Sequence, residues 1–228
     1  MDEKGFETLV GINHCAKRWY PQSIATYRNA IKLYGDYSNT YPLYSNFAYS
    51  MQYIEYLEKQ ISELNLSDVI ITMVYKSYII TAMSIIEELF VNILHNNNRW
   101  NTSTWKEKAK YHSNPQGSDG SKTKVDVIVY EECEEYDMRM DLDSMIKKIE
   151  SHHLLSIDHG SFPELKRLRE LRNRVHLQVG NNTYDHDYNS IGANEIQLAR
   201  KLLFAVLTAR EVCQDESVFQ FILDAYNL

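Results

Sequence analysis

A chain of 228 residues with 44% hydrophobic and 24% charged side chains can bury a sizeable core, which excludes the disordered and collagen-like classes. Its formal net charge of -7 excludes a general nucleic-acid coat protein, whose affinity draws on an excess of lysine and arginine. Any contact with nucleic acid must therefore be local.

The chain starts with "MDEKGFETLV", acidic where a secretory signal needs a basic start and a continuous apolar run, so a cytoplasmic protein is expected. Tyr20-Pro21 opens a short helix through Leu33, with Gly35-Asp36 as its stop. Phe47, Ile54, Leu57, Ile61 and Leu64 then recur at three- and seven-residue steps, which predicts an amphipathic helix from about Leu43 to Leu64. Among the 17 tyrosines, Tyr49, Tyr53 and Tyr56 fall beside this stripe, which favours packing or an oligomer interface over base stacking.

Ser67 or Asp68 caps an apolar helix that runs to Leu94 or His95. Lys76, Glu87 and Glu88 interrupt its apolar run, so it reads as a buried helix and not as a membrane span. "HNNNRWN" breaks the pattern. From Asn101 to Asp137 the periodicity fades: "HSNPQGSDGSKTK" reads as a flexible loop, "VDVIVY" as a possible short strand, and Glu131 to Asp137 as an acidic run in a solvated loop.

Regularity returns at Asp143, where "DSMIKKIESHHLL" makes a short helix. Ser161, followed three residues later by Glu164, has capping-box spacing, and a helix from Phe162 to about Val179 is expected with Gly180 as its C-cap. The loop "NNTYDHDYNSIGA" leads into the helix "NEIQLARKLLFAVLTAREVC", and "ESVFQFILDAY" closes the chain. Cys15, Cys133 and Cys213 are odd in number and far apart, with neither zinc nor disulfide spacing. His152, His153, His159, His112 and His186 read as solvated helix ends and loops, since no partner has ligand spacing.

The stretch "LRELRNRVHLQ" is unusual in an acidic chain. Wound at roughly 100° per residue, it places Leu168, Leu171, Val175 and Val179 on one face, and Arg169, Arg172 and His176 within about 60° of each other on its flank. Lys166, Arg167 and Arg174 fall on an outer, solvated face. Charge at the margin of a core is half desolvated and needs a partner, and arginines beside a histidine disfavour its protonated form. A structural salt-bridge network is the plain alternative to a reactive cluster.

"RELRNRVH" resembles the signature of HEPN domains, in which an arginine, usually followed by a polar residue, precedes a histidine by a few positions. The order of elements is similar too: an apolar helix bearing "SIIEE", an insertion, "SMIKKIESHHLL", the motif helix and a closing helix, over roughly Val69 to Cys213. Three residues separate Arg172 from His176 and six separate Arg169 from it, against four to six in the family. Arg172-Asn173 matches the arginine-polar pair and Arg169 matches the separation, so either arginine fits the family role. Leu177-Gln178 follow the histidine, so the tyrosine that some toxin members carry two residues after it is absent.

The resemblance implies an all-α protein, a HEPN-like up-and-down four-helix bundle over residues 67–228, with an N-terminal helical extension over 1–66 and a loop-rich insertion at about 96–140. It also implies metal-independent cleavage of single-stranded RNA without a cofactor, in a toxin or antiviral defence role. Histidine suits transfer of the 2′-hydroxyl proton, and arginine suits phosphate oxygens through forked hydrogen bonds. Arg169, Arg172, Asn173 and His176 are the expected catalytic residues, with Asn173 orienting phosphate or histidine and Glu87 holding an arginine at the substrate. One chain supplies one such histidine, so a homodimer through the motif helix is expected, with an antitoxin or regulatory protein as a possible partner and no membrane. The alternative is a catalytically silent HEPN-like module that binds a partner protein, a nucleotide or RNA.

Overall fold

The computed structural model describes residues 19–33, 40–114, 122–175 and 186–226. They form two compact units: one helical, comprising residues up to Asn98 and from Asp141 onward, and one a β-hairpin, Arg99–Met140.

In the helical unit, α1 (Ile24–Ala30) starts at Ser23, whose hydroxyl accepts the Thr26 N–H at 3.0 Å and so satisfies one of the four orphan donors of a helix start. The next helix, α2 (Thr40–Glu63), buries Phe47, Ala48, Met51, Ile54 and Leu57, the three- and four-residue steps of an amphipathic face. Tyr49, Tyr53 and Tyr56 project from its exposed side, and Tyr53 stacks on Tyr56 with ring centres 6.1 Å apart. Gly35-Asp36, expected to stop the first helix, lie outside the described residues.

The core is organised around α3 (Asp68–Asn96), which packs against α2, α4 (Leu142–Ser151), α5 (Ser161–Arg172), α6 (Asp187–Ser190) and α7 (Ala193–Leu207). Length and composition would let α3 cross a membrane, but half of its most apolar stretch is buried by the protein itself. Having neighbours on several sides explains why it is apolar nearly all round, from Tyr78 and Ile79 to Phe90 and Leu94. One buried ion pair crosses the unit: Arg200 on α7 donates from Nε to Glu58 Oε1 at 2.9 Å and from Nη2 to Oε2 at 2.5 Å. Desolvation opposes the charge on Arg200, yet its bonds to Glu58 outweigh that and raise its pKa.

Asp141 caps α4 by accepting the Ser144 N–H at 2.7 Å, and Leu142, Met145, Ile146 and Ile149 face the core. His152 and His153 lie in the exposed turn that ends α4, with His153 at a positive φ of 52°. That left-handed step brings the Leu154 N–H to the Ile149 carbonyl at 3.0 Å and stops the helix. A short α8 (Gln220–Tyr226), entered through a 3-10 turn at Glu216–Phe219, closes the unit against α7.

The all-α expectation is corrected by the second unit. Residues expected as a loop-rich insertion form two long antiparallel strands, β1 (Thr102–His112) and β2 (Asp126–Asp137). Threonine, tryptophan and tyrosine in β1 and "VIVY" in β2 favour extended backbone. The acidic run is part of β2 and is drawn into cross-strand contacts, with Lys108 bonded to Glu131 at 2.7 Å and Thr102 to Glu135 at 2.6 Å. The stretch "VDVIVY", read as a possible short strand, supplies the start of β2, whereas the mostly polar, exposed residues of β1 and of the acidic run left no two-residue apolar period in the sequence.

Candidate active site

The segment that carries the arginines begins at Gly160, whose N–H donates to Asp158 Oδ2 at 3.0 Å. A Cβ at Gly160 would stand 2.8 Å from that oxygen, so glycine permits the contact. Ser161 is the first residue of α5 and is buried; it makes no capping box, and Glu164 instead binds Lys201 at 2.9 Å. Phe162, Leu165 and Leu168 form the buried face.

The α-helix ends earlier than periodicity suggested. Asn173 caps it, its N–H shared between the Arg169 and Leu171 carbonyls, and Asn173–Val175 tighten into a 3-10 turn. The phase of 100° per residue therefore stops at Arg172. His176, Val179 and Gly180, expected as the reactive histidine, the end of the apolar face and the C-cap, lie outside the described residues.

Arg172 stands on the inner margin of α5 and donates from Nη2 to Glu87 Oε2 on α3 at 2.6 Å. The two side chains remain 31% and 26% exposed, so the pair lies at the protein surface with one side turned inward. One helical turn earlier, Arg169 Nη2 lies 3.4 Å from Asp143 Oδ1 on α4. The buried Nε of Arg169 has no hydrogen-bond partner among the described residues. Positions three apart on a helix share a side, so the two guanidinium groups project from one flank of α5. Asn173 is exposed beside them.

The electrostatics follow from these pairs. Asp143 is held below the ordinary aspartate value first by its bond to Lys147 and then by the charge of Arg169. Asp141 is lowered too, chiefly by the Ser144 N–H that it caps and in smaller part by Arg169. Glu88, beside the arginine-binding Glu87, is raised by burial and then by its neighbour's charge.

The outer face differs from expectation at Arg174. Instead of pointing into solvent, it is half-buried, donates from Nη1 to Ser190 Oγ at 3.0 Å and stands 3.8 Å from Asp187 Oδ1. Asp187 also receives the buried Lys76 at 2.7 Å, so Arg174 belongs to a cluster that ties the 3-10 turn to α6 and α3. Lys166 pairs with Glu150 at 2.9 Å and Arg167 with Glu195. These carboxylates lie between 16 and 28 positions away along the chain, beyond the reach of any helical period.

Arg172, Glu87, Arg169 and Asn173 thus gather at one end of α5. The arrangement can present guanidinium N–H groups to an anion from a side chain whose angle is fixed by a carboxylate behind it. Among the described residues no group of three metal-ligating side chains converges. Comparison of the chain with protein-family models, with curated proteins and with solved structures finds no match.

Proposed function

We propose that this chain is a metal-independent endoribonuclease that cleaves single-stranded RNA in a toxin or antiviral defence role in the cytoplasm. The observation that carries the reading is the Arg172–Glu87 pair, a half-exposed guanidinium fixed by a 2.6 Å bond just before Asn173 and His176. A preset donor stabilises developing charge on a phosphorane without reorganising during the reaction. His176 takes the proton of the ribose 2′-hydroxyl, whose oxygen attacks the adjacent phosphorus, and the bond to the 5′-oxygen breaks. Arg172 and Arg169 hold the non-bridging oxygens, and Asn173 orients phosphate or histidine. A homodimer through the motif segment places a second His176 to protonate the leaving oxygen.

A second reading has its own observation. Lys166, Arg167, Arg169, Arg172 and Arg174 each have a carboxylate within ion-pair distance, as a structural network would. On that reading the chain is a silent module that binds a partner protein, a nucleotide or RNA. Labelled single-stranded RNA incubated with the purified protein in EDTA separates the two. Products ending in a 2′,3′-cyclic phosphate are expected. A magnesium requirement, cleavage of an all-DNA strand, or binding without products overturns the ribonuclease reading.

A further inference from the structure

Within the helical unit, α2, α7 and α8 enclose a cleft with a volume of about 490 Å³. Small-molecule sites occupy roughly 300–1,000 Å³, so it is large enough for one. The buried Glu58–Arg200 pair lies at its base, and Ile61, Phe221 and the indole of Trp19 give it apolar walls. None of its lining residues belongs to the arginine segment.

The charges of the cleft do not cancel. Arg200 spends Nε and Nη2 on Glu58, and Lys59 is paired with Glu63, which leaves two lining carboxylates, Glu55 and Asp224, without a cation among the described residues. Glu55 accepts the Tyr27 hydroxyl at 2.7 Å and the Gln22 N–H at 2.9 Å, both on Oε2, so Oε1 keeps its accepting capacity. Asp224 is exposed and accepts from Gln220 Nε2 at 3.1 Å on Oδ1, so Oδ2 keeps its own. Gln197 is a third acceptor: it lines the cleft, and its buried Oε1 has no hydrogen-bond partner among the described residues. A buried acceptor in that state calls for a donor. Trp19 points to the same sign of ligand, because the Lys59 ammonium already lies over its ring, 6.0 Å from the centre.

We propose that this cleft binds an aliphatic polyamine, a flexible chain that carries two or more ammonium groups. One ammonium is held by Glu55, with Gln197 as a neutral acceptor, and another by Asp224, while the methylenes between them lie on Phe221 and Ile61. An anion would meet two unpaired carboxylates and find the fork of Arg200 already occupied. A metal ion does not fit, since no three ligating side chains converge among the described residues. Carboxylates on two different helices along one apolar cleft suit an extended cation instead. Binding here is read by heat and not by cleavage, so it stands independently of the ribonuclease reading.

Isothermal titration calorimetry of the full chain with spermidine at low ionic strength tests it. Saturable binding of one spermidine per chain is expected, with n-butylamine, which has a single ammonium, at least about tenfold weaker. Glu55→Gln and Asp224→Asn should each weaken spermidine by about tenfold, with an unchanged circular dichroism signal. Asp224 is exposed, so its variant keeps the test valid even where Glu55→Gln loosens the contact with Tyr27. Lys59→Ala should tighten binding, because a like charge leaves the rim. Glu134→Gln removes the same charge from the hairpin and should change nothing. Absence of saturable binding overturns the proposal. So does a Lys59→Ala that weakens binding, a folded Asp224→Asn that binds as wild type, or a Glu134→Gln that weakens spermidine as much as the cleft variants do, which would show attraction to the net acidic chain alone.

Discussion

Arg172 and Arg174 are two positions apart and are held by different elements. Arg172 donates to Glu87 on α3, whereas Arg174 donates to Ser190 and stands near Asp187 on α6, and both side chains keep part of their surface toward solvent. Arg172→Ala and His176→Ala should each lower RNA cleavage by about a hundredfold or more, and Arg172→Lys should not restore it because the planar fork is lost. Arg174→Ala should leave the rate of the folded protein nearly unchanged and lower its stability by about 1 kcal/mol, measured by urea unfolding. A folded Arg174→Ala that is inactive, beside an active Arg172→Ala, would reverse the assignment. Asp143 gives a pH signature. Its pKa is lowered in the folded state by Lys147 and then Arg169, so its contribution is present above the ordinary value of 3.8 and lost as pH falls through the lowered one. Asp143→Asn should therefore flatten the acid limb of the stability profile below pH 3.8 and leave the profile above neutrality parallel to wild type.

Helices in this protein are held to one another by apolar faces and, at their margins, by ion pairs. The Glu58–Arg200 pair between α2 and α7 is the most buried of these, with both residues less than a tenth exposed. Truncating one member strands a charge in the core. Arg200→Met should destabilise by about 3–5 kcal/mol, and adding Glu58→Leu should recover most of that loss. Thermal melts of the two single variants and the double variant check both statements, and a double variant no more stable than Arg200→Met would show that the pair contributes more than its desolvation removes. At the C-terminal end of α5 the cap at Asn173 turns the chain from α-helix into a 3-10 turn, where periodicity suggested continued α-helix. Arg174, in that 3-10 turn, contacts Ser190 and Asp187 of α6.

The molecule joins a helical unit with a continuous core to a ribbon that buries almost nothing. Replacing residues 102–137 by a short glycine-serine linker should keep the circular dichroism and melting temperature of the helical unit, since the Met138 N–H bonds the Asn101 carbonyl at 2.8 Å and the two ends of the ribbon are close together. A collapse of helical signal on this replacement would show that the ribbon is part of the core. Hydrogen exchange should rank the elements in the same way, slowest in α3 and fastest in β1 and β2, because local opening is resisted by buried contacts.

Periodicity reports burial, so sequence alone determined those elements that bury one face or all faces. The stripe of Phe47, Ile54 and Leu57, the apolar α3 and the amphipathic α4 were all legible, and Glu87 was recognisable as a carboxylate on the helix that could hold an arginine. Of the strands only the apolar start of β2, "VDVIVY", was legible; β1 and the acidic part of β2 were not, because exposed polar residues carry no apolar alternation to read. Nor was the partner of any other cation in the arginine segment. Asp143, Asp187, Glu150 and Glu195 reach it from other elements, and which carboxylate meets which guanidinium depends on how the helices cross. Tertiary structure alone decided that Arg172 meets Glu87 on α3 and Arg174 meets Ser190 and Asp187 at α6, since helical phase describes one helix and the environment of a charge is set by its neighbours.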